Sequence, residues 1–572
     1  MHTIKTVAFL LCFSLTFFSG YSQSADMITK AYKTLDDRGE VYFKFHNSPG
    51  SISEANKIVS VDRSSNYDWI YAYANKKQFG DFLKLKIDFE VLPAPGLLYM
   101  PEMREEVDID IVDEWDFYPT YEAYVDIMYQ FEADYPDLCK IINIGSTVEG
   151  RKLLFAKITD NVNTGEAEPR FMYTSTMHGD ETGGYVLMLH LIDYLLSNYG
   201  SSDDITNLVG NTEIWINPLA NPDGTYALGN GNVWGAKRYN GNNIDLNRNY
   251  PDPEDGPHPD GNEWQPETES FMHLADSLRF TMSANLHAGA EVCNYPWDTW
   301  SKLTADDDWW QFVCREYADT AHLYSPAGYM TQYDNGITNG YAWYSISGGR
   351  QDYMNYFAGC REFTLELSNT YILIENKLPL FWEYNYRSFL NYMKQVLFGF
   401  QGTVTDTETG DPVNAKVTLI NHDTDNSFVF AGGDFGDFYR PVLAGTYDLK
   451  FTADGYHDKI IESKSISNYE SVVLNVLMEK NTGIDENKLN NLFVLTPNPA
   501  SRFLTVNYSG TERLDCLVSV FSETGRIVYS DKTEFSANTP QFIIDTEKLQ
   551  PGVYFVRVTN MNISINKKFI RK

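Results

Sequence analysis

Apolar residues along this chain change their period twice. Between 27 and 100 the pattern is short and mixed. Residues 40–45 and 69–74 alternate as half-buried strands do, and 76–85 repeats at helical spacing. From 115 to 395, helical stretches at 121–131, 185–199, 267–279, 309–320 and 378–398 interleave with short apolar runs at 153–158, 171–176, 213–216, 281–286 and 362–367. Helices alternating with buried strands predict an α/β domain on a mixed or mostly parallel sheet. After 399 the period falls to two. Runs at 402–406, 415–420, 446–451 and 471–477, parted by turns such as Thr409-Gly410-Asp411-Pro412, predict a small β-sandwich. A second strand set at 503–508, 517–521, 527–530, 542–544 and 553–558 predicts another.

These changes divide the 572 residues into a leader at 1–23, a small α+β domain with an acidic linker at 24–110, an α/β domain at 111–398, a β-sandwich at 399–480, a polar linker at 481–490 and a last β-domain at 491–572. A chain of this length exceeds one core. The α/β domain is expected to carry a mixed sheet of about eight strands flanked by helices. The 24–110 segment has two readings, a packing module or a prodomain covering an active site.

The leader changes the expected compartment. Lys5 precedes an apolar core at 7–18, and small residues follow at Gly20 and Ser22, the layout of a secretory signal. Leu11 before Cys12 argues against a lipoprotein cleavage box. No later run is apolar enough to span a membrane. The formal net charge of −33 repels nucleic acid and acidic membranes. Beyond Cys12 there are five cysteines, an odd number without a C-x-x-C pair, so neither a disulfide scaffold nor a cysteine zinc site is expected. One bridge among Cys293, Cys314 and Cys360 stays open. The acidic runs at 252–260 and 306–308 are expected to be solvated surface rather than calcium sites.

Candidate chemistry begins at His178-Gly-Asp-Glu181, placed where an apolar run gives way to a helix. The pattern H-x-x-E is common by chance. His287, at the end of another apolar run, adds a second imidazole and completes the two-His, one-Glu set of a catalytic zinc site. Ligands in open α/β sheets bind outside the carboxyl ends of strands, which puts both motifs on one rim. Glu362 and Glu366 alternate onto the same strand face, and apolar neighbours around Glu366 would raise its pKa toward general-base work. Arg238, Asn247 and Arg248, in a Gly/Asn-rich loop, could clamp an anion.

Together these stretches resemble the zinc metallocarboxypeptidases, or funnelins. The resemblance rests on His178-Gly-Asp-Glu181, Asn217-Pro-Leu-Ala-Asn-Pro-Asp-Gly224, Arg238 through Asn247-Arg248-Asn, Asn285-Leu-His287, Asn294-Tyr-Pro-Trp-Asp298, Trp343-Tyr344-Ser-Ile-Ser-Gly-Gly and Phe363-Thr-Leu-Glu366-Leu. It implies one zinc ion on His178, Glu181 and His287, with Glu366 as the general base that activates the attacking water. It implies that Arg238 polarises the scissile carbonyl, that Asn247 and Arg248 bind the substrate's terminal carboxylate, and that Tyr344 closes over the substrate. Asp180 departs from the family pattern, where some members carry Arg and the regulatory branch usually Asn.

Asp298 and Gln351 are similar to the regulatory N/E-type branch, in which an acidic residue recognises C-terminal Lys or Arg. The 399–480 sandwich resembles the transthyretin-like domain of that branch. The last 80 or so residues resemble a type IX secretion sorting domain, through Pro497-Asn-Pro-Ala500, Gly525-Arg-Ile-Val-Tyr529, the run at 549–557 and the basic end at 567–572. That implies export, handling by the type IX machinery, and attachment to or release from the cell surface. Two other functions stay open: an amide hydrolase acting on peptidoglycan stem peptides, and a surface binding protein that has lost catalysis.

Overall fold

A computed structural model describes residues 20–48, 54–62, 68–107, 109, 112, 114–481, 492–511, 513–560 and 563–572. Most of the leader and nearly all of the 481–490 linker fall outside these residues. The chain divides into two compact units. The larger runs to 405 and includes 411–451 and 459–476; the smaller comprises 406–410, 452–458 and 477–572.

The N-terminal domain packs α1 (Gly20–Arg38) and α2 (Lys76–Phe82) on a sheet of β1 (Glu40–His46), β2 (Ser60–Asp62), β3 (Trp69–Asn75) and β4 (Phe89–Val91), in the order β2-β3-β1-β4. Both alternating runs become strands paired in antiparallel register, Glu40 opposite Asn75. Asn75 opens α2 with a capping box: its side chain accepts from Gln78 N–H, and Gln78 returns the contact to the Asn75 N–H. Phe43, Phe45, Phe79 and Phe82 fill the core.

The α/β domain is one mixed sheet of eight strands. In chain order these are β5 (Cys139–Ser146), β6 (Lys152–Ile158), β7 (Arg170–Ser175), β8 (Glu213–Asn217), β9 (Met282–His287), β10 (Ala290–Tyr295), β11 (Ile337–Asn339) and β12 (Arg361–Ser368). Across the sheet they run β11-β10-β12-β9-β7-β8-β6-β5. The central strands β12, β9, β7 and β8 are mutually parallel, and their carboxyl ends therefore share one rim. Among the helices that pack around the sheet are α3 (Tyr121–Asp134), α4 (Gly183–Asn198), α5 (Pro266–Leu278), α6 (Asp307–Tyr324), α7 (Arg350–Tyr356) and α8 (Leu378–Lys394). α4 is buried on nearly every side, from Tyr185 through Ile192, which marks it as a core helix rather than an amphipathic one. α8 ends four residues before the sequence pattern suggests. Its last turn tightens into a 3₁₀ turn at Gln395–Leu397, ahead of Gly399 at φ +117°, where a Cβ would stand 2.3 Å from Arg440 O.

Two four-stranded sheets follow α8, built from residues between 399 and 478. Asp306 corrects the expectation of solvated acidic loops. It is buried between Arg361 (3.0 Å) and Arg440 (2.9 Å), and Arg440 also reaches Asp423 at 2.6 Å, so the run ties the α/β domain to the sandwich. Asp252 is likewise buried, accepting from the Glu254, Asp255 and Gly348 N–H groups. The five cysteines are all free thiols and all buried, leaving no bridge among Cys293, Cys314 and Cys360. The smaller unit carries the last β-domain as sheets of three and four strands around Phe493, Val518, Val556 and Phe569. No helix among the described residues is long and apolar enough to cross a membrane.

Candidate metal centre and active site

Strand β7 ends at Ser175, and the chain turns sharply through Thr176 at φ +61° to present His178 and Glu181. The turn needs a glycine at 179. A Cβ there would lie 2.3 Å from the Gly224 carbonyl carbon and 2.4 Å from the Thr225 nitrogen. The loop after β8 presses on this turn. Asn221 Nδ2 donates to the Met177 and Arg238 carbonyls, and Gly179 N–H donates to Arg238 O.

His287 enters from the end of β9, one strand over. His178 Nδ1 lies 2.8 Å from Glu181 Oε1, His287 Nδ1 lies 2.8 Å from Glu181 Oε2, and the two Nδ1 atoms are 3.1 Å apart. All three side chains are buried. Burial opposes ionisation of Glu181, but the two imidazoles outweigh it and hold the carboxyl far below its usual range. The other ring nitrogen of each histidine is engaged elsewhere: His178 Nε2 on Asp245 Oδ1 (3.1 Å), His287 Nε2 on the Asn285 amide (2.8 Å). An ionised Asp245 only accepts, so Nε2 carries the hydrogen and His178 Nδ1 keeps its lone pair. Two imidazole nitrogens and a carboxylate thus converge on one point, a donor set that fits zinc.

Arg238 lies beside this set. Its Nε donates to Asp245 Oδ2 (3.0 Å) and its Nη1 to Glu181 Oε1 (3.3 Å). Burial disfavours the guanidinium charge, yet Asp245 and Glu181 more than compensate and keep Arg238 protonated. Asp245 is held far below the usual carboxylate range, against burial, by Arg238 and His178. Glu366 is buried in β12, directly opposite His287 in the parallel ladder. Glu362 is oriented differently: it accepts from Ser283 Oγ (2.7 Å) and Arg350 Nη2 (3.0 Å), an internal ion pair away from the reacting centre.

Arg248 Nη1 donates to Asn247 O, while its buried Nη2 has no hydrogen-bond partner among the described residues. Asn247 Oδ1 accepts from Arg350 N–H at 2.9 Å, which fixes the amide. Asp298 is buried and accepts from Asn294 Nδ2 at 3.1 Å. Gly340 lies so close that a Cβ would fall 1.8 Å from Asp298 Oδ1. Gln351 Oε1 accepts from Thr364 N–H (2.8 Å), and its buried Nε2 has no partner among the described residues. Tyr344 follows the short helix Gly340–Trp343, half-buried, with its ring edge-on to Trp343. The structure therefore brings His178, Glu181, His287 and Glu366 together at the carboxyl ends of β7, β9 and β12, with Arg238 bonded to Glu181, and leaves Glu362 outside the group. Sequence reasoning assigned no role to Asp245, Asn285 or Asn294; each lies inside a quoted motif, and only the fold shows which atom it holds.

The N-terminal domain also reaches the site. Glu40 accepts from the Arg238 and Tyr239 N–H groups, and Tyr73 O–H donates to Asp180 Oδ2 at 2.7 Å. Asp62 accepts from Tyr371 O–H, and Asn56 meets the carbonyl of Ser345.

Comparison with known proteins matches three stretches of the chain. Residues 124–388 match the zinc carboxypeptidase family, 399–479 the carboxypeptidase regulatory-like domain, and 495–572 the secretion system C-terminal sorting domain. Human carboxypeptidase D is 36% identical over 353 residues, covering 57% of this chain and 24% of its own. The chain thus spans about a quarter of the length of the carboxypeptidase D relatives it matches. Mouse carboxypeptidase M is 37% identical over 347 residues, covering 58% of this chain and 77% of its own, and rat carboxypeptidase N catalytic chain is 34% identical over 379 residues, covering 60% and 81%. The chain belongs to the zinc carboxypeptidase family.

Proposed function

We propose that this protein is an exported, zinc-dependent carboxypeptidase that releases Lys or Arg from peptide C-termini. The observation that carries the reading is the buried convergence of His178, Glu181 and His287 with Glu366 one strand over. Zinc held there by His178, Glu181 and His287 supplies Lewis acidity toward a carbonyl and toward water. Glu366 takes the proton of the attacking water, whose oxygen bonds to the scissile carbonyl carbon. The same carboxyl returns a proton to the leaving nitrogen as the C–N bond breaks. Arg238, kept cationic by Asp245 and Glu181, donates to the developing oxyanion.

Arg248 supports an exopeptidase. A buried guanidinium nitrogen with no protein partner suits a terminal carboxylate, with Asn247 beside it. Tyr344, just after the short helix Gly340–Trp343, would close over the bound substrate on this reading. Asp298, with Gln351 and Asn294 near it, suits a cationic side chain. The similarity to carboxypeptidases D, M and N supports the carboxypeptidase part of the reading.

The N-terminal domain, on this reading, is a cap of prodomain type, because Glu40, Asp62 and Tyr73 bond to the residues rimming the site. The 495–572 match supports delivery to the cell surface or beyond through type IX secretion, after export directed by the leader.

One assay tests the core of the reading. Blocked peptides ending in Arg and in Phe are compared with the protein, with Asp298→Ala and with Glu366→Gln. The expected results are chelator-sensitive release of Arg, loss of the Arg preference in Asp298→Ala, and a fall in kcat of about 10²–10⁴ in Glu366→Gln with zinc retained. An Arg preference undiminished in Asp298→Ala would remove that residue from the specificity pocket.

A further inference from the structure

Glu362 and Arg350 have no part in the proposed reaction, yet they begin a line of buried polar groups that ends on a residue of the metal set. Arg350 Nη2 donates to Glu362 Oε2 (3.0 Å), and its Nη1 donates to Thr174 Oγ1 (2.6 Å). Thr174 Oγ1 lies 3.0 Å from Asn285 Oδ1, and Asn285 Nδ2 lies 2.8 Å from His287 Nε2. Glu362, Arg350, Thr174, Asn285 and His287 are each at most 3% exposed. The strands set this alignment. Thr174 on β7 is the cross-strand partner of Asn285 on β9, and Asn285 and His287, two residues apart, share one face of the sheet. Burying such a line is costly, and packing alone would be served by apolar residues.

Donors and acceptors along the line show what it does. A guanidinium only donates, so Thr174 Oγ1 accepts from Arg350 and passes its own hydrogen to Asn285 Oδ1. That sets the amide. Nδ2 then faces His287 Nε2, with Met177 Sδ at 3.0 Å as its other neighbour. An amide nitrogen cannot accept, so this arrangement places the ring hydrogen on Nδ1, 2.8 Å from Glu181 Oε2. A ring that bonds a metal through Nδ1 has the opposite need: its hydrogen sits on Nε2 and requires an acceptor. Asn285 supplies one by turning its amide over, so that Oδ1 takes the Nε2 hydrogen and Nδ2 donates to Thr174 Oγ1. The hydroxyl serves both orientations, because its oxygen can accept from Arg350 and from Nδ2 at once. Asp245 meets the same need at His178 without turning, since a carboxylate only accepts.

We propose that Asn285 is a positioning residue of the metal site: its amide selects the tautomer of His287, and it turns over against Thr174 when His287 becomes a zinc ligand. The inference rests on the zinc reading above. Thr174, held by the Arg350–Glu362 pair, is the fixed point against which the amide turns.

The test uses the full chain, zinc-free and zinc-loaded, at about pH 8, where imidazoles are ordinarily neutral. Zinc affinity is read by chelator competition. The ring tautomer is read by nitrogen NMR on isotope-labelled histidine, the His287 signals being those missing from His287→Gln. In the unaltered chain the expected result is hydrogen on Nδ1 without zinc and on Nε2 with it. Asn285→Leu keeps roughly the volume but offers no acceptor, and is expected to bind zinc about 10–100-fold more weakly. Asn285→Asp, which only accepts, is expected to match or exceed the affinity of the unaltered chain. A residue needed for packing alone gives the reverse order, with Leu tolerated and Asp harmful. Undiminished affinity in Asn285→Leu, or affinity in Asn285→Asp as low as in Asn285→Leu, overturns the proposal. So does hydrogen on Nε2 in both forms of the unaltered chain, a measurement that needs no altered amide to fold. Each of these leaves the zinc reading intact. No zinc binding by the unaltered chain overturns the zinc reading and this proposal with it.

Discussion

Asp245 places one carboxylate oxygen on His178 Nε2 and the other on Arg238 Nε. On the proposed reading it sets, with a single side chain, the tautomer of a zinc ligand and the direction of the oxyanion donor. Asp245→Asn keeps the shape and removes the charge. The expected outcome is zinc affinity lower by about 10–100-fold, read by chelator competition, together with a fall in kcat. Unchanged affinity would mean that the ring orientation is fixed by packing alone. Residues of this kind explain what the sequence left unread. The His178, Glu181 and His287 set follows from residue type and strand-end position, because metal chemistry restricts the choice. The role of Asp245 depends on which loop folds back over which histidine, and spacing in the chain does not encode that. Glu362 and Glu366 show the same limit. Both alternate onto one face, but only the fold reveals that Arg350 takes Glu362 and leaves Glu366 beside His287.

At the scale of elements, the strands that hold the site were the legible ones. β6, β7, β8, β9 and β12 are central and buried, so each reads as an apolar run. In these two domains the strands that escaped notice include β5 and β11 at the sheet edges and β2 and β4 of three residues each, where half the positions face outward or the run is too short for a period; β10 escaped although it is buried along nearly all its length. The α1 helix escaped as well, because its first residues overlap the leader. The sheet-to-helix turn at 176–182 is where the element scale governs the site, since its backbone touches the loop at 221–225. Gly179→Ala forces a methyl against the Gly224 and Thr225 backbone, which cannot rotate away. The expected cost is about 1–3 kcal/mol of stability, seen as a lower Tm, because an overpacked core is strained. Loss of bound zinc accompanies it, since the turn carries two members of the metal set. Retention of both Tm and zinc would show that the two loops can separate without disturbing His178.

For the whole molecule, the arrangement of the N-terminal domain decides whether the described state can act. Its contacts fall on both sides of the metal set: Arg38 on the Ala236 carbonyl, Asn75 on the Asn243 carbonyl and Ser60 on Tyr239 on one side, Asp62 on Tyr371 and Asn56 on Ser345 on the other. Glu40 lies between them, against the backbone of Arg238 itself, and is buried to the same degree as the site it covers. With the Tyr73 ring centroid 5.5 Å from the Arg238 guanidinium carbon, the proposed reading has the domain hindering a scissile carbonyl from reaching Arg238. In the connector that follows, Leu98 and Met100 are exposed, and Arg104 is half-exposed, paired with Asp116 at 2.8 Å in a short strand beside Tyr118–Pro119. The intact chain is therefore expected to cleave a blocked Arg-ended peptide at least about tenfold more slowly than the chain cut at Arg104 and freed of the preceding residues. The comparison is made on kcat/KM at equal zinc occupancy. Removing the cap raises access, so KM falls and kcat rises together, whereas a domain that merely stabilised the fold would on removal lower Tm and leave or reduce the rate. Equal rates before and after cleavage would show that substrate reaches Arg238 with the domain in place, and that its contacts with Asp180 and Arg238 serve the fold alone.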